Sequence, residues 1–138
     1  VFLEQVRSVL NSNARIGFHH LVLSERWETL NALQRRKYQF LLKSADVNLK
    51  DLMTVGALYA CLDRFKFKNI EIQDLSEPVF SGFADYVQQT LNSKSSDAQA
   101  QGSKLDQFKI QMTAKLCQKL YQEGIVRYVQ VTAQSKNE

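Results

Sequence analysis

Apolar residues in this chain recur mostly at intervals of three and four, the spacing that lines one face of a helix. Phe2, Leu3, Val6, Val9 and Leu10 form the first stripe, and Asn11-Ser12-Asn13 breaks it. From Ala14 to Leu23 the pattern is ambiguous: Ile16, Phe18 and Leu21 to Leu23 fit a short helix or an extended connector, and Gly17 weakens either. Ser24 has the chemistry of an N-cap, followed by Glu25 and Glu28 at the positive end of a helix dipole. The helix predicted from there runs to about Lys43, with Trp27, Leu30, Leu33, Tyr38 and Leu41 on its buried side. Asn48 with Asp51 reads as the capping pair of the next helix. Leu52, Val55, Leu58, Tyr59, Leu62 and Phe65 supply its stripe, and the small Gly56, Ala57 and Ala60 let a neighbouring helix approach. It ends at Arg64, Lys66 and Lys68, with Asn69 suited to a left-handed cap.

Ser76-Glu77-Pro78 starts another helix, proline being tolerated in a first turn, and Val79, Phe80, Phe83, Val87 and Leu91 form its buried side. Residues 92–103 hold no large apolar side chain and read as a flexible loop. Ser103 and Asp106 repeat the capping pattern ahead of Leu105, Phe108, Met112, Leu116 and Leu120, and Gly124 closes that helix. The β-branched run Ile125 to Thr132 predicts one strand or arm. A lone strand needs an edge to pair with, which points to another chain. The sum is an all-α fold of about five helices in antiparallel pairs, a short α-solenoid or irregular bundle. It forms one domain over 1–138, with the loop at 92–103 and an extended arm or tail at 125–138.

Composition agrees with a helical bias. A chain of 138 residues that is 44% hydrophobic can bury a core, while one proline and five glycines are too few to punctuate an all-β domain. No apolar run nears the roughly 20 residues of a membrane span. Val1 in place of a methionine fits a truncated chain or a cleaved organellar presequence.

Charge sharpens the picture. The net +4 is unevenly placed: residues 1–69 hold eleven basic and six acidic side chains, net +5, whereas residues 70–138 hold seven and eight. The surplus centres on Arg35-Arg36-Lys37 and on Arg64, Lys66 and Lys68. A basic surface attracts phosphate or acidic protein; the same residues at helix ends also complement the dipole.

Catalytic chemistry is not visible in the pattern. His19 and His20 are adjacent, so they point apart and cannot readily share one metal. Cys61 and Cys117 lie on core-like stripes and read as buried free thiols. There is no glycine-rich phosphate loop and no nucleophile elbow, and Glu25 and Glu28 serve the helix start. The expectation is no enzyme, no catalytic residue, no metal, no cofactor and no small-molecule substrate.

Tyr38, Phe65 and Phe67 stand beside cations, the combination that stacks bases while neutralising phosphate. Leu33, Arg35, Lys37 and Tyr38 also match Leu62, Arg64, Lys66 and Phe67 at a constant offset of 29 positions, the start of a repeat signal. The stretch Leu52 to Val87 resembles one unit of the FAST-kinase-like, RAP and octotricopeptide type of organellar helical repeats. The counterparts are Ala57-Leu58-Tyr59-Ala60-Cys61-Leu62, then Phe65-Lys66-Phe67-Lys68-Asn69, then Leu75 onwards. The resemblance implies a mitochondrial or other organellar, non-catalytic helical adaptor in a ribonucleoprotein, ribosome-associated, with RNA and neighbouring subunits as partners. Arg35, Arg36, Lys37, Tyr38, Arg64, Lys66, Phe67 and Lys68 would then form one nucleic-acid-binding patch. The alternative is an accessory subunit of a respiratory complex or ATP synthase.

Overall fold

The computed structural model describes residues 2–94 and 104–136. It has six helices and three strands in the order α1 (Phe2–Val9), β1 (Arg15–Leu23), α2 (Arg26–Thr29), α3 (Ala32–Ser44), a 3-10 turn (Leu49–Asp51), α4 (Val55–Arg64), β2 (Phe67–Asp74), α5 (Ser76–Lys94), α6 (Lys104–Gln122) and β3 (Val126–Ser135). The strands form one sheet in the order β1-β3-β2. β3 runs antiparallel to both neighbours, so β1 and β2 are parallel to each other.

The all-α expectation is therefore overturned, and three segments carry the correction. Residues 15–23, read as a short helix or connector, form β1 and pair along their whole length with β3, from Arg15 opposite Gln134 to Leu23 opposite Val126. Residues 67–74, read as the turn between two helices, form β2. Its period-two pattern is interrupted by a register shift between Lys68 and Glu71, where Asn69 takes φ of 50°. The C-terminal arm lies at the centre of the sheet, so its partners belong to this chain.

Helix starts move as well. Ser24 caps no helix; its buried hydroxyl donates to the Gly124 carbonyl and its backbone N–H to Ile125, tying β1 to β3. The long helix from Ser24 divides, and α3 starts at Asn31. The Asn31 side chain accepts from the Gln34 N–H and the Gln34 side chain from the Asn31 N–H, a reciprocal capping box. Asn48 opens only the 3-10 turn, and Thr54 caps α4 by accepting from the Ala57 N–H. α6 ends in a Schellman turn: the N–H of Ile125 bonds to Leu120 and that of Gly124, at φ of 68°, to Tyr121. The loop expected at 92–103 overlaps α5 at 92–94 and otherwise lies outside the described residues.

Alternation along the strands sorts side chains onto two faces. Val22, Val129, Val131 and Ala133 join Leu58 and Leu62 of α4, Leu3 of α1 and Phe67 in one core. On the other face Leu23 and Val126 pack with Leu30, Tyr38, Leu42, Phe80 and Leu120 under α3, α5 and α6. Toward the start of β1 this second face is polar: Arg15, Gly17 and His19 lie opposite Gln134, Thr132 and Gln130. No described helix is long and apolar enough to cross a membrane.

Candidate functional site at the strand C-termini

The parallel strands β1 and β2 end at the same edge of the sheet, where β3 begins. In open α/β sheets such an edge is the usual place for ligands. Asp74, the last residue of β2, accepts from the Ser76 N–H at 2.8 Å and meets the Arg127 guanidinium at 2.7 Å. Burial pushes the Asp74 carboxyl up, but the hydrogen bonds from Ser76 and Arg127 outweigh it and hold the group below its ordinary value. The same bond from Asp74 raises Arg127. The buried Ser76 hydroxyl accepts from the Tyr128 N–H at 2.9 Å, locking the start of α5 to β3.

In the first turn of α5, Glu77 takes two hydroxyl donors, Ser81 at 3.0 Å and Tyr121 of α6 at 2.9 Å. The Glu77 hydrogen bond raises the Tyr121 pKa, so its phenol stays a donor at neutral pH. Phe80 stacks on Tyr121 with ring centroids 5.3 Å apart and meets Tyr128 edge-on at 6.5 Å. Tyr128 in turn lies 5.7 Å from His19 on β1. The result is an aromatic wall with an acidic anchor, standing beside the polar sheet face that carries Gln130 and Thr132. Sequence reasoning missed Glu77, Tyr121, Tyr128 and Asp74, because they converge from β2, α5, α6 and β3. The only signal was Glu77 beside Pro78, which reads as a helix start.

The residues expected to bind nucleic acid do not converge. Lys37 lies 4.0 Å from Glu123, just before β3, and 5.0 Å from the Tyr38 ring. Arg35 donates to the Glu28 carbonyl at 3.0 Å, and Arg36 is exposed on α3. Lys66 instead accepts, through its carbonyl, from the Lys136 N–H just past the end of β3. The two clusters thus sit at opposite ends of a ten-residue strand, about 30 Å apart. Phe67 is fully buried and Tyr38 is 6% exposed, so both aromatic rings are core rather than stacking platforms. Lys68 donates to the Asn13 side chain at 2.8 Å. Arg64 lies over Phe65, 5.0 Å from the ring centroid.

The remaining candidates are quickly placed. His19 and His20 point to opposite sheet faces, and among the described residues no three His, Cys, Asp or Glu side chains cluster as metal ligands would. Burial pushes the Cys117 thiol up, which keeps it protonated and poorly nucleophilic. The described glycines form no ligand cradle: a Cβ on Gly56 or Gly82 meets nothing within 4 Å, on Gly17 only ordinary contacts, and Gly124 serves the α6 turn.

No protein-family model matches the chain and no curated protein matches its sequence. Solved structures do match its fold. A phosphoethanolamine N-methyltransferase 2 from Haemonchus contortus, in complex with phosphomonomethylethanolamine and S-adenosylhomocysteine, aligns with a TM-score of 0.76 at 10% identity over 98% of this chain and 29% of its own. A mycolic acid cyclopropane synthase aligns at 0.78 and 15% identity over 97% of this chain and 51% of its own. A putative sarcosine dimethylglycine methyltransferase from Galdieria sulphuraria gives 0.75 and 9% over 97% and 46%. The chain therefore spans from under a third to about half the length of these structures. Their Rossmann-like α/β fold replaces the helical-repeat resemblance. With it fall the expectations of a non-catalytic ribonucleoprotein adaptor, of an accessory subunit, of RNA and subunits as partners, and of a protein without a small-molecule substrate. At this identity the likeness is one of fold alone: this chain has the fold of part of each of these structures.

Proposed function

We propose that this chain forms the acceptor-binding side of an enzyme that transfers a methyl group from S-adenosylmethionine to a small molecule. The observation that carries the reading is the fold likeness over 97–98% of the chain, with β3 inserted antiparallel between two parallel strands. The location of the polar and aromatic network, at the carboxyl ends of β1 and β2, supports it.

The described residues do not fit the adenosyl cofactor itself. Rossmann-like folds bring a nucleotide against the backbone at a glycine-rich first turn, and of the described glycines Gly17 lies within β1, Gly56 within α4, Gly82 within α5 and Gly124 at the end of α6, so none forms such a turn. What these residues supply is orientation. Glu77 fixes the Tyr121 hydroxyl, the buried Phe80 supports the Tyr121 and Tyr128 rings from the core, and Asp74 with Arg127 and Ser76 locks the edge that carries them.

The test is transfer of tritium from methyl-labelled S-adenosylmethionine by the full-length protein, offered a small-molecule extract. Label should enter the low-mass fraction and fall about tenfold or more in Tyr121→Phe and Glu77→Gln. Absence of transfer, or transfer indifferent to both substitutions, would overturn the reading.

A further inference from the structure

The opposite end of the sheet carries a second, separate constellation. The turn Asn11–Asn13 ahead of β1 and the turn Arg64–Lys66 ahead of β2 border an open cleft of about 860 Å³, also lined by Arg7 and Glu4 of α1. Both turns are held in unusual backbone conformations, with Asn13 and Lys66 each at φ of 61°. Lys66 is pinned by two backbone bonds, its N–H to Asp63 and its carbonyl from Lys136. Its side chain therefore leaves a fixed point.

Among the described residues the charges at this end are unbalanced. Lys136 pairs with Asp63 at 3.0 Å. Arg7, Arg64 and Lys66 have no carboxylate within salt-bridge distance among the described residues, although Glu4 borders the same cleft. Lys68 reaches it only through the neutral Asn13 side chain. The C-termini of α1 and α4 offset about half a charge each. With Lys68 and Glu4 both counted, a surplus of about two positive charges remains among the described residues. Arg7 adds a further observation: its Nη2 donates to the Lys136 carbonyl at 3.2 Å, while its Nε–H is shielded from solvent with no acceptor. A buried donor left unmet is costly.

We propose that this cleft binds a compact, multiply charged anion of the phosphate class, such as a diphosphate or a phosphomonoester, at the pole opposite the acceptor site. Guanidinium groups meet phosphate oxygens through paired N–H donors, which suits Arg64, while Arg7, held on the Lys136 carbonyl, adds its charge to the cleft wall. A compact ligand fits better than a nucleic-acid strand. The cations form one cluster rather than a track, since Arg35 to Lys37 lie at the far end of β3, and Phe67 is buried and cannot stack a base. The proposal is independent of methyl transfer.

Titration of the chain with inorganic pyrophosphate, followed by calorimetry and by amide chemical shifts, tests it. Saturable one-to-one binding is expected, with shifts at Asn13, Arg64 and Lys66 and weakening as salt is raised. The double substitution Arg64→Gln with Lys66→Gln should weaken binding about tenfold or more, and Glu4→Gln should tighten it a few-fold by removing the opposing charge. Arg35→Gln with Arg36→Gln removes the same net charge elsewhere and should leave affinity unchanged. No saturable binding at low salt, or equal weakening in the two double variants, would overturn the proposal.

Discussion

The two ends of the sheet settle their charges in opposite ways. Where β1 and β2 finish, Asp74 meets Arg127, Glu77 holds two hydroxyls, and Lys37 lies near Glu123. Where they begin, Arg7, Arg64 and Lys66 surround a cleft whose described lining holds one opposing carboxylate, Glu4. At the paired end these contacts hold β2, α5, α6 and β3 together, although Arg35 and Arg36 there have no carboxylate within salt-bridge distance among the described residues. At the unpaired end Lys136 meets Asp63, and the remaining cations gather around one cleft, left for something outside the chain. Charge counting along the sequence sees only that both ends are basic; what each cation does depends on which carboxylate the fold brings to it.

Substitutions at each end can break or sharpen this contrast. The largest effect is expected at Phe67, fully buried beneath the unpaired end: Phe67→Ala should cost about 3–5 kcal/mol in denaturant unfolding, as a core truncation does. A ring that worked on the surface would lose almost nothing, so a near-neutral result would restore the stacking role. Next is Ser76→Ala at the paired end. It removes the acceptor of the buried Tyr128 N–H and should cost about 1–3 kcal/mol, measured the same way.

The Tyr121 phenol gives a direct readout of the acidic anchor. Because Glu77 raises its pKa, a ring-carbon NMR titration should show Tyr121 ionising above an ordinary tyrosine, and Glu77→Gln should bring it down. An unmoved titration would mean that the bond is not made in solution.

The smallest effect concerns Asp74. Its folded pKa lies below the unfolded value, so its contribution to stability is present above the unfolded carboxyl range and is lost as pH falls through the folded pKa. The group is partly exposed, so Asp74→Asn should cost under about 1 kcal/mol at neutral pH and flatten the acid limb of the stability curve. Parallel acid limbs in the two proteins would remove Asp74 from the network.

Legibility followed the range of the interactions. The stripe Leu58 and Leu62 was readable because helix periodicity is local, and both residues are buried in α4. The same reasoning failed at Leu33, 78% exposed, and at Leu105 and Phe108, 60% and 56% exposed. Helical spacing shows that a face exists, not that anything covers it. The capping box at Asn31 and Gln34 was present in the sequence, yet the stronger-looking Ser24-Glu25 start hid it. The site residues Glu77, Tyr121 and Tyr128 were illegible for a different reason: the hydroxyl–carboxylate bond joins positions 44 residues apart.

By itself, the sequence determined where helices can form, since each of their hydrogen bonds closes within four residues and each cap within three. The Gly124 stop belongs to this class as well. Only the tertiary structure decided that residues 15–23 and 67–74 are strands. Arg15 takes its pairing from Gln134 and Phe67 from Ser135, near the far end of the chain, and an alternating pattern is ambiguous until such a partner fixes its register. The same long-range pairing made β3 the centre of a sheet rather than an arm, and so placed one basic cluster at each end of it.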